Sequence, residues 1–400
     1  MQASELSDSD VVIVSAARTP MGGLSGSLAT VTAGELGAIA IKAALERCSV
    51  NPEDIGEVLM GNVLSAGVGQ APARQAALGA GLQVHTPCTT VSKVCGSGLK
   101  AVMLGFDQIK AGSLDLAVVG GMESMTNAPY FLAKARAGYR AGHGEIKDHM
   151  FYDGLEDAYT GRAMGSFAQD VANARSVSRE AMDAYALESL RRAQTAIADG
   201  KFKSEIAPVT VSHRGVDSLI DTDEQPGNAK PEKIPNLKPA FAKDGTITAA
   251  NSSSISDGAA ALVVSSVAKA RALGLPIMAK IVGHSTHAQQ PSEFCLAPVG
   301  SVSKLLSKVG WQASDVDLFG INEAFGMVTM IAMQDLGLDH GKVNVHGGAC
   351  ALGHPIGASG ARILVTLLYA LQQRGGTRGL ASLCIGGGEA TSLAVELVSG

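Results

Sequence analysis

The chain has 400 residues, 46% of them hydrophobic and only 4% aromatic, with 48 glycines and a formal net charge of −5. That length exceeds one simple core, so two or three structural units are expected. The aromatic-poor, Gly- and Ala-rich mixture suits helices packed closely on a parallel sheet and fits neither disorder nor a fibre. The charge offers no footing for a nucleic-acid surface, and no apolar run approaches the length of a membrane span.

The first residues, Met1 to Asp10, are acidic and polar and lack the apolar core of a signal peptide and the Arg-rich pattern of a transit peptide. The last residues, Val395 to Gly400, carry no peroxisomal tripeptide. The expectation is a soluble, cytoplasmic protein.

Asp10 to Ser15 reads as a buried strand and Gly34 to Cys48 as an amphipathic helix closed by the Asn51-Pro52 turn. Ile55 to Met60 is a second apolar segment. Leu99 to Lys110 is helical, and Leu114 to Val119 is a strand closed by Gly120-Gly121. This alternation indicates an α/β unit with a largely parallel sheet. From about 126 to 249 the rhythm breaks into polar, charged stretches around one good helix, Ser178 to Asp199. The segment reads as an insertion lying over the α/β body. The pattern returns with a strand at Ala259 to Ser265 and a helix at Val267 to Leu273, and a second set of alternations follows 283. Two junctions look alike: Ala117-Val-Val-Gly-Gly-Met-Glu-Ser124 and Leu383-Cys-Ile-Gly-Gly-Gly-Glu-Ala390. They suggest a duplicated fold. The expected division is 1–125 plus 250–282 for one half, 126–249 for the insertion, and 283–400 for the other half.

Four segments carry chemistry. Cys95 sits in Val94-Cys-Gly-Ser-Gly98, on a sharp strand-to-helix turn near the positive end of a helix dipole, a place for a nucleophilic thiol. His354 lies in Gly347 to Gly360, fourteen residues with five glycines, where backbone must turn sharply or approach something closely. The loop lacks a P-loop ending and the Rossmann glycine spacing. His354 could act as base for a thiol. Cys384 ends a strand before Gly386-Gly-Gly388, whose exposed N–H groups can form an oxyanion hole. Asn322, at a strand end, could orient a water or a carbonyl, or could cap the next helix. His284 and His287 form half a metal site with no carboxylate motif after them, so no metal is expected. Cys48, Cys88, Cys295 and Cys350 have no partner motif and read as structural free thiols.

Together Val94-Cys-Gly-Ser-Gly98, Asn322-Glu-Ala-Phe325, Gly353-His-Pro355 and Cys384-Ile-Gly-Gly-Gly388 closely resemble the thiolase family. Val14-Ser-Ala-Ala-Arg-Thr-Pro20, Gly120-Gly-Met-Glu-Ser124 and Asn251 to Gly258 extend the likeness over nearly the whole chain. The resemblance implies two similar βαβαβαββ halves in α/β/α/β/α layers, with an inserted loop domain. It implies that Cys95 carries an acetyl group, that His354 takes its proton, and that Cys384 moves a proton at the α-carbon of the second acyl group. Asn322 with His354 would hold the enolate oxygen; the N–H groups of Cys95 and Gly386 would hold the tetrahedral oxyanion. Ser253, Leu155, Met164, Phe241, Ala249, Ala324 and Phe325 would line a tunnel for pantetheine. The implied substrates are acetyl-CoA, acetoacetyl-CoA and CoA, with no permanently bound cofactor, in a homotetramer.

The chain also departs from the family pattern. His346 stands where Asn is common. The last glycine loop reads Gly-Gly-Gly-Glu-Ala. Ala163 stands where many short-chain members have His. Gln225 removes the aromatic of a potassium site, and Gly227 stands near the Arg that some members offer to the coenzyme phosphates, leaving Lys230 or Lys233. A longer-chain 3-ketoacyl-CoA thiolase is the alternative. A ketoacyl-carrier-protein synthase would lack Cys384, and a non-catalytic acyl carrier would lack at least one of these groups.

Overall fold

The computed structural model describes residues 2–399. The N-terminal half contributes β1 (Val11–Arg18), α1 (Ala33–Cys48), β2 (Glu57–Gly61), α2 (Pro72–Gly79), β3 (Cys88–Val91), α3 (Ser97–Lys110) and β4 (Leu116–Ser124). An insertion with α4 (Met164–Ala174) and α5 (Arg179–Ala198) follows, and β5 (Ser256–Ser266) closes the half. The C-terminal half contains β6 (Ala279–Ala288), α6 (Ala297–Val309), β7 (Leu318–Ile321), α7 (Gly326–Leu336), α8 (Ser359–Arg374), β8 (Arg378–Ile385) and β9 (Glu389–Leu397).

Local signals explain several boundaries. Thr32 and Glu35 form a capping box at the start of α1, and Ser49 ends it in the left-handed region. Leu36, Ala40, Ile41, Ala44 and Leu45 put one face of α1 on the sheet. One expectation is corrected: β4 does not stop at Gly120-Gly121 but runs to Ser124. Both glycines face neighbouring backbone. A Cβ at Gly120 would lie 2.1 Å from the Ala260 carbonyl oxygen, and one at Gly121 would lie 2.1 Å from that of Gly357. They keep the strand flat against its neighbours instead of ending it.

The strands pair in the order β7-β8-β9-β6-β1-β5-β4-β2-β3. In the N-terminal half this reads third, second, fourth, fifth, first. The C-terminal half repeats it, with the parallel Phe319–Val343 bridge in place of a third strand. Parallel pairing (β2 with β3 and β4, β7 with β8) and antiparallel pairing (β5 with β4 and β1, β9 with β8 and β6) also correspond. The duplication suggested by the two strand–glycine–Glu junctions is therefore visible in the topology. A short pairing, Val12 with Lys280 and Ile13 with Ala279, joins the two half-sheets.

One apolar cluster packs α1 and α2 on the outer face of the first half-sheet. A second, with residues of α3 and α8, lies between the half-sheets. A third packs α6 and α7 outside the other. The layers are α/β/α/β/α. The central helices are the ones whose N-termini follow Cys95 and His354.

The insertion is bolted to β1 by a buried ion cluster. Arg18 Nε donates to Glu205 at 2.5 Å, and its Nη1 and Nη2 donate to Asp223 at 2.7 and 2.9 Å. All three side chains are almost fully excluded from solvent. Asp223 also accepts from the Met21 N–H at 2.8 Å. Asp223→Ala is expected to destabilise the protein by about 3–5 kcal/mol, because it leaves a buried guanidinium underpaired. The measurement is the urea midpoint, and a midpoint equal to that of the parent would refute the estimate.

Candidate active site

The Cys95 loop is a strained elbow. Val94 has φ +45°, a left-handed conformation that a β-branched residue avoids. Ser97 holds the turn: its Oγ accepts from the Lys93 N–H at 2.8 Å and donates to the Val94 carbonyl at 2.7 Å. Gly96 leaves no room for a side chain, since a Cβ there would lie 2.4 Å from Ile385 Cδ1. The elbow presents Cys95 to a cavity of about 400 Å³ that His354 and Gly386 also line. The Gly386 N–H faces the Cys95 sulfur and favours its thiolate form. Burial nevertheless pushes the thiol up to about 11.

His354 is buried at the end of the glycine-rich loop, its backbone N–H held by the Ser254 carbonyl at 3.1 Å and by Ser256 Oγ at 3.2 Å. Gly353, at φ +101°, makes the turn; a Cβ there would lie 2.2 Å from Ser256 Oγ. The imidazole Nδ1 lies 2.5 Å from Ser359 Oγ, which donates its own proton to the Pro355 carbonyl at 2.9 Å. With that proton committed to Pro355 and the Asn322 amide nitrogen 3.5 Å from Nε2, the arrangement favours the proton on Nδ1 and a lone pair on Nε2. Burial, reinforced by the nearby Arg362 cation, pushes the imidazole down to about 3, so the ring is neutral at rest.

Asn322 Nδ2 lies 3.5 Å from His354 Nε2. The Asn322 backbone N–H is tied to the Ser382 carbonyl at 3.0 Å, while its Oδ1 has no hydrogen-bond partner. A buried amide oxygen without a partner fits a group that orients a water or a substrate. Glu323 anchors this strand end. Its carboxylate accepts from Tyr185 and Ser189 hydroxyls at 2.8 Å, from Asn344 Nδ2 at 2.9 Å and from the Cys350 N–H at 3.1 Å.

Cys384 is fully buried in the apolar cluster that includes Met164, Ala324 and Phe325 of the cavity wall. Burial, with the neighbouring Cys295 and Cys95 sulfurs, holds its thiol well above the ordinary value. Cys295, read as structural, lies close enough to influence it.

The seven residues expected along the pantetheine tunnel all border the same cavity. Leu155, Met164, Phe241 and Ala249 come from the insertion. Ser253, Ala324 and Phe325 come from the body, where Ser253 Oγ donates to the Ala324 carbonyl at 3.0 Å. Ala163 lines it as well. Cys350 and His346 do not. The Cys350 thiol turns to the Glu323 carbonyl, 3.7 Å away, and His346 Nε2 pairs with Gln373 at 2.9 Å. Among the described residues no group of three or more His, Cys, Asp or Glu could hold a metal. His284 pairs with Asp107 at 2.8 Å instead.

Sequence reading missed Ser359, Glu323 and Arg362. Ser359 was discoverable, five residues after His354 inside the glycine-rich loop. Glu323 stands inside the quoted Asn322-Glu-Ala-Phe325 motif but its partners lie far along the chain, and Arg362, eight residues from His354, acts through charge alone.

A neutral thiol beside a neutral imidazole has a testable signature. Alkylation of Cys95 by iodoacetamide should rise with pH through an apparent pKa above the ordinary thiol value of about 8.5. An apparent pKa below about 7 would mean a resting thiolate and would contradict the neutral pair. Ser359→Ala should release the imidazole tautomer and slow alkylation of Cys95 at neutral pH by about 10–100-fold. A parent-like alkylation rate would sink that assignment.

The family model described as "Thiolase, N-terminal domain" matches residues 11–268, and "Thiolase, C-terminal domain" matches 275–397. An acetyl-CoA acetyltransferase from Schizosaccharomyces pombe is 48% identical over 393 residues, covering 98% of this chain and 100% of that protein. Another from Cupriavidus necator is 50% identical over 389 residues, covering 97% and 99%. A crystal structure of the Acat5 thiolase from Ascaris suum in complex with coenzyme A superposes with a TM-score of 0.92 at 39% identity, covering 97% of this chain and 100% of that one. With both family domains matched end to end and the duplicated layers present, the chain belongs to the thiolase family.

Proposed function

We propose that this chain is an acetyl-CoA C-acetyltransferase. It joins two acetyl-CoA molecules to acetoacetyl-CoA and CoA, or runs the reverse thiolysis, through an acetyl group on Cys95. The observation that carries the reading is one apolar cavity lined by Cys95, Gly386 and His354 together, with the Gly386 N–H facing the Cys95 sulfur. Relatives with this activity in their names match over nearly the full length of the chain.

In the thiolysis direction, Nε2 of His354 takes the Cys95 proton as the sulfur attacks the keto carbon of acetoacetyl-CoA. The N–H groups of Cys95 and Gly386 hold the tetrahedral oxyanion. The adduct collapses by breaking the bond between the two acyl units. Asn322 and His354 steady the departing enolate oxygen, and Cys384 gives its proton to the enolate carbon, releasing acetyl-CoA. The raised pKa of buried Cys384 keeps that proton in place at rest. An incoming CoA thiol reprotonates Cys384, and its sulfur attacks acetyl-Cys95. The second acetyl-CoA leaves as the Cys95 sulfur recovers its proton from His354. Condensation is the same path reversed, and the covalent intermediate predicts ping-pong kinetics.

The apolar lining from Met164, Phe241 and Phe325 suits a pantetheine arm. Lys230 and Lys233, both exposed, are the cations proposed for the coenzyme phosphates. The small side chain of Ala163 on the cavity wall favours a second reading, a broader 3-ketoacyl-CoA thiolase. Tyr130, Leu132 and Ile146, exposed around the ribbon formed by Tyr130–Phe131 and Lys147–Asp148, support a homotetramer. No helix among the described residues is long and apolar enough to cross a membrane, and the cytoplasm is the proposed compartment.

Mixing the protein with acetoacetyl-CoA and CoA should consume the ketoacyl thioester and leave one acetyl group on Cys95 by mass spectrometry. No turnover, or acetyl elsewhere, defeats the proposal. Longer 3-ketoacyl-CoA substrates then measure the acyl pocket. Cys384→Ala should still accept acetyl from acetyl-CoA on Cys95 but lose condensation by about 100-fold or more. Normal condensation by that variant would remove Cys384 from the mechanism.

A further inference from the structure

Glu123 and Glu389 close the two similar strand–glycine–Glu junctions, Glu123 near the end of β4 and Glu389 at the start of β9. The reaction steps above use neither. Glu123 is fully buried, and its carboxylate accepts four hydrogen bonds. Three come from its own half: Asn62 Nδ2 at 2.7 Å, the Val63 N–H at 3.0 Å and the Leu64 N–H at 3.1 Å. The fourth crosses to the other half, from the Gly357 N–H at 2.9 Å. Gly357 lies in the loop between His354 and Ser359. It fits only without a side chain, because a Cβ there would lie 2.5 Å from the Glu123 carboxylate.

Glu389 makes the reverse crossing. It stands at the start of β9 in the C-terminal half and pairs with the Lys93 ammonium of the N-terminal half, two residues before Cys95. In the same place Gly96 abuts Ile385. The nucleophile's loop is thus held from the half that carries the base, and the base's loop from the half that carries the nucleophile.

We infer that Glu123 and Glu389 are reciprocal positioning residues. Each is supplied by one half of the duplicated fold and fixes the loop that bears the other half's reacting group. The inference rests on the assignment of Cys95 and His354 as that reacting pair. The physical need is plain. The thiol and the imidazole stand on different halves, so no single strand or turn sets the distance between them. Only contacts across the halves do, and a displacement of about an ångström is enough to cost a reaction about 100-fold. Glu123 supplies a buried acceptor for backbone on both sides of the join. Glu389 supplies a partly exposed charge pair on the Cys95 loop, a kind of contact that adds little to folding stability. Its removal therefore reports on position more than on folding.

The test uses the full-length protein with acetoacetyl-CoA and CoA, comparing the parent with Glu389→Gln and Glu123→Gln. Each variant should lose about tenfold in kcat with KM changed by no more than about twofold, the mark of a contact that acts on geometry and not on substrate binding. Alkylation of Cys95 by iodoacetamide should slow in parallel in Glu389→Gln. Glu389→Asp, which keeps the charge, should recover part of the lost kcat. A folded Glu389→Gln with parent-like kcat and alkylation overturns the Cys95 arm. A folded Glu123→Gln with parent-like kcat overturns the His354 arm. If Glu123→Gln does not fold, Glu123→Asp decides that arm by the same measurement, because it keeps the carboxyl group but shortens the reach to Gly357. A parent protein without turnover would count against the acetyltransferase reading itself, so the two failures are distinguishable.

Discussion

Everything at this site depends on two backbones lying closer than a methyl group allows. The loop from Gly353 to Gly360 presses on the N-terminal half. A Cβ at Gly121 would meet the Gly357 carbonyl oxygen at 2.1 Å, one at Gly61 would meet it at 2.7 Å, and one at Gly360 would meet the Leu99 N–H nitrogen at 2.4 Å. Glycine is the residue that permits such contact. The contact brings the start of α8 against the start of α3, so His354 and Cys95 face one cavity although each belongs to a different half. Close packing of this kind tolerates almost no added volume.

Exclusion of water is the second consequence. The same burial that brings the two groups together makes charge expensive there. Thiol and imidazole are both held neutral, at about 11 and about 3. A neutral pair needs stabilisation only where charge develops during reaction, and the Gly386 N–H is a fixed donor facing the Cys95 sulfur. Hydrogen bonds around the site fix direction more than charge. Ser359 sets the tautomer of His354, and Glu323 anchors the strand end that carries Asn322.

Much of this was legible in the residues. Cys95, Asn322, His354 and Cys384 stand out because each sits at a strand end or sharp turn rich in glycine, and such places project side chains into clefts. The duplication was legible from two strand–glycine–Glu junctions. What was illegible has a common form. Arg18 finds its partners Glu205 and Asp223 at separations of 187 and 205 residues. Glu123 reaches Gly357 across 234 residues. Charged residues give no local sign of their partner, so nothing in the chain's pattern distinguishes a buried clasp from a solvated face. The glycines of β4 misled for a related reason. Read locally they end a strand; in the fold they let a strand pass through a crowded join.

The sequence by itself determined the alternating α/β character and pointed to the duplication and to the glycine-rich turns at Cys95 and His354, because periodicity and turn chemistry are local properties of the chain. Tertiary structure alone decided that Cys384 is fully buried, that the His354 imidazole is neutral with its Nδ1 turned to Ser359, and that each half's acid holds a loop of the other half. Those outcomes depend on burial and on distances between residues far apart in the chain, and packing of the two halves against each other is what sets both.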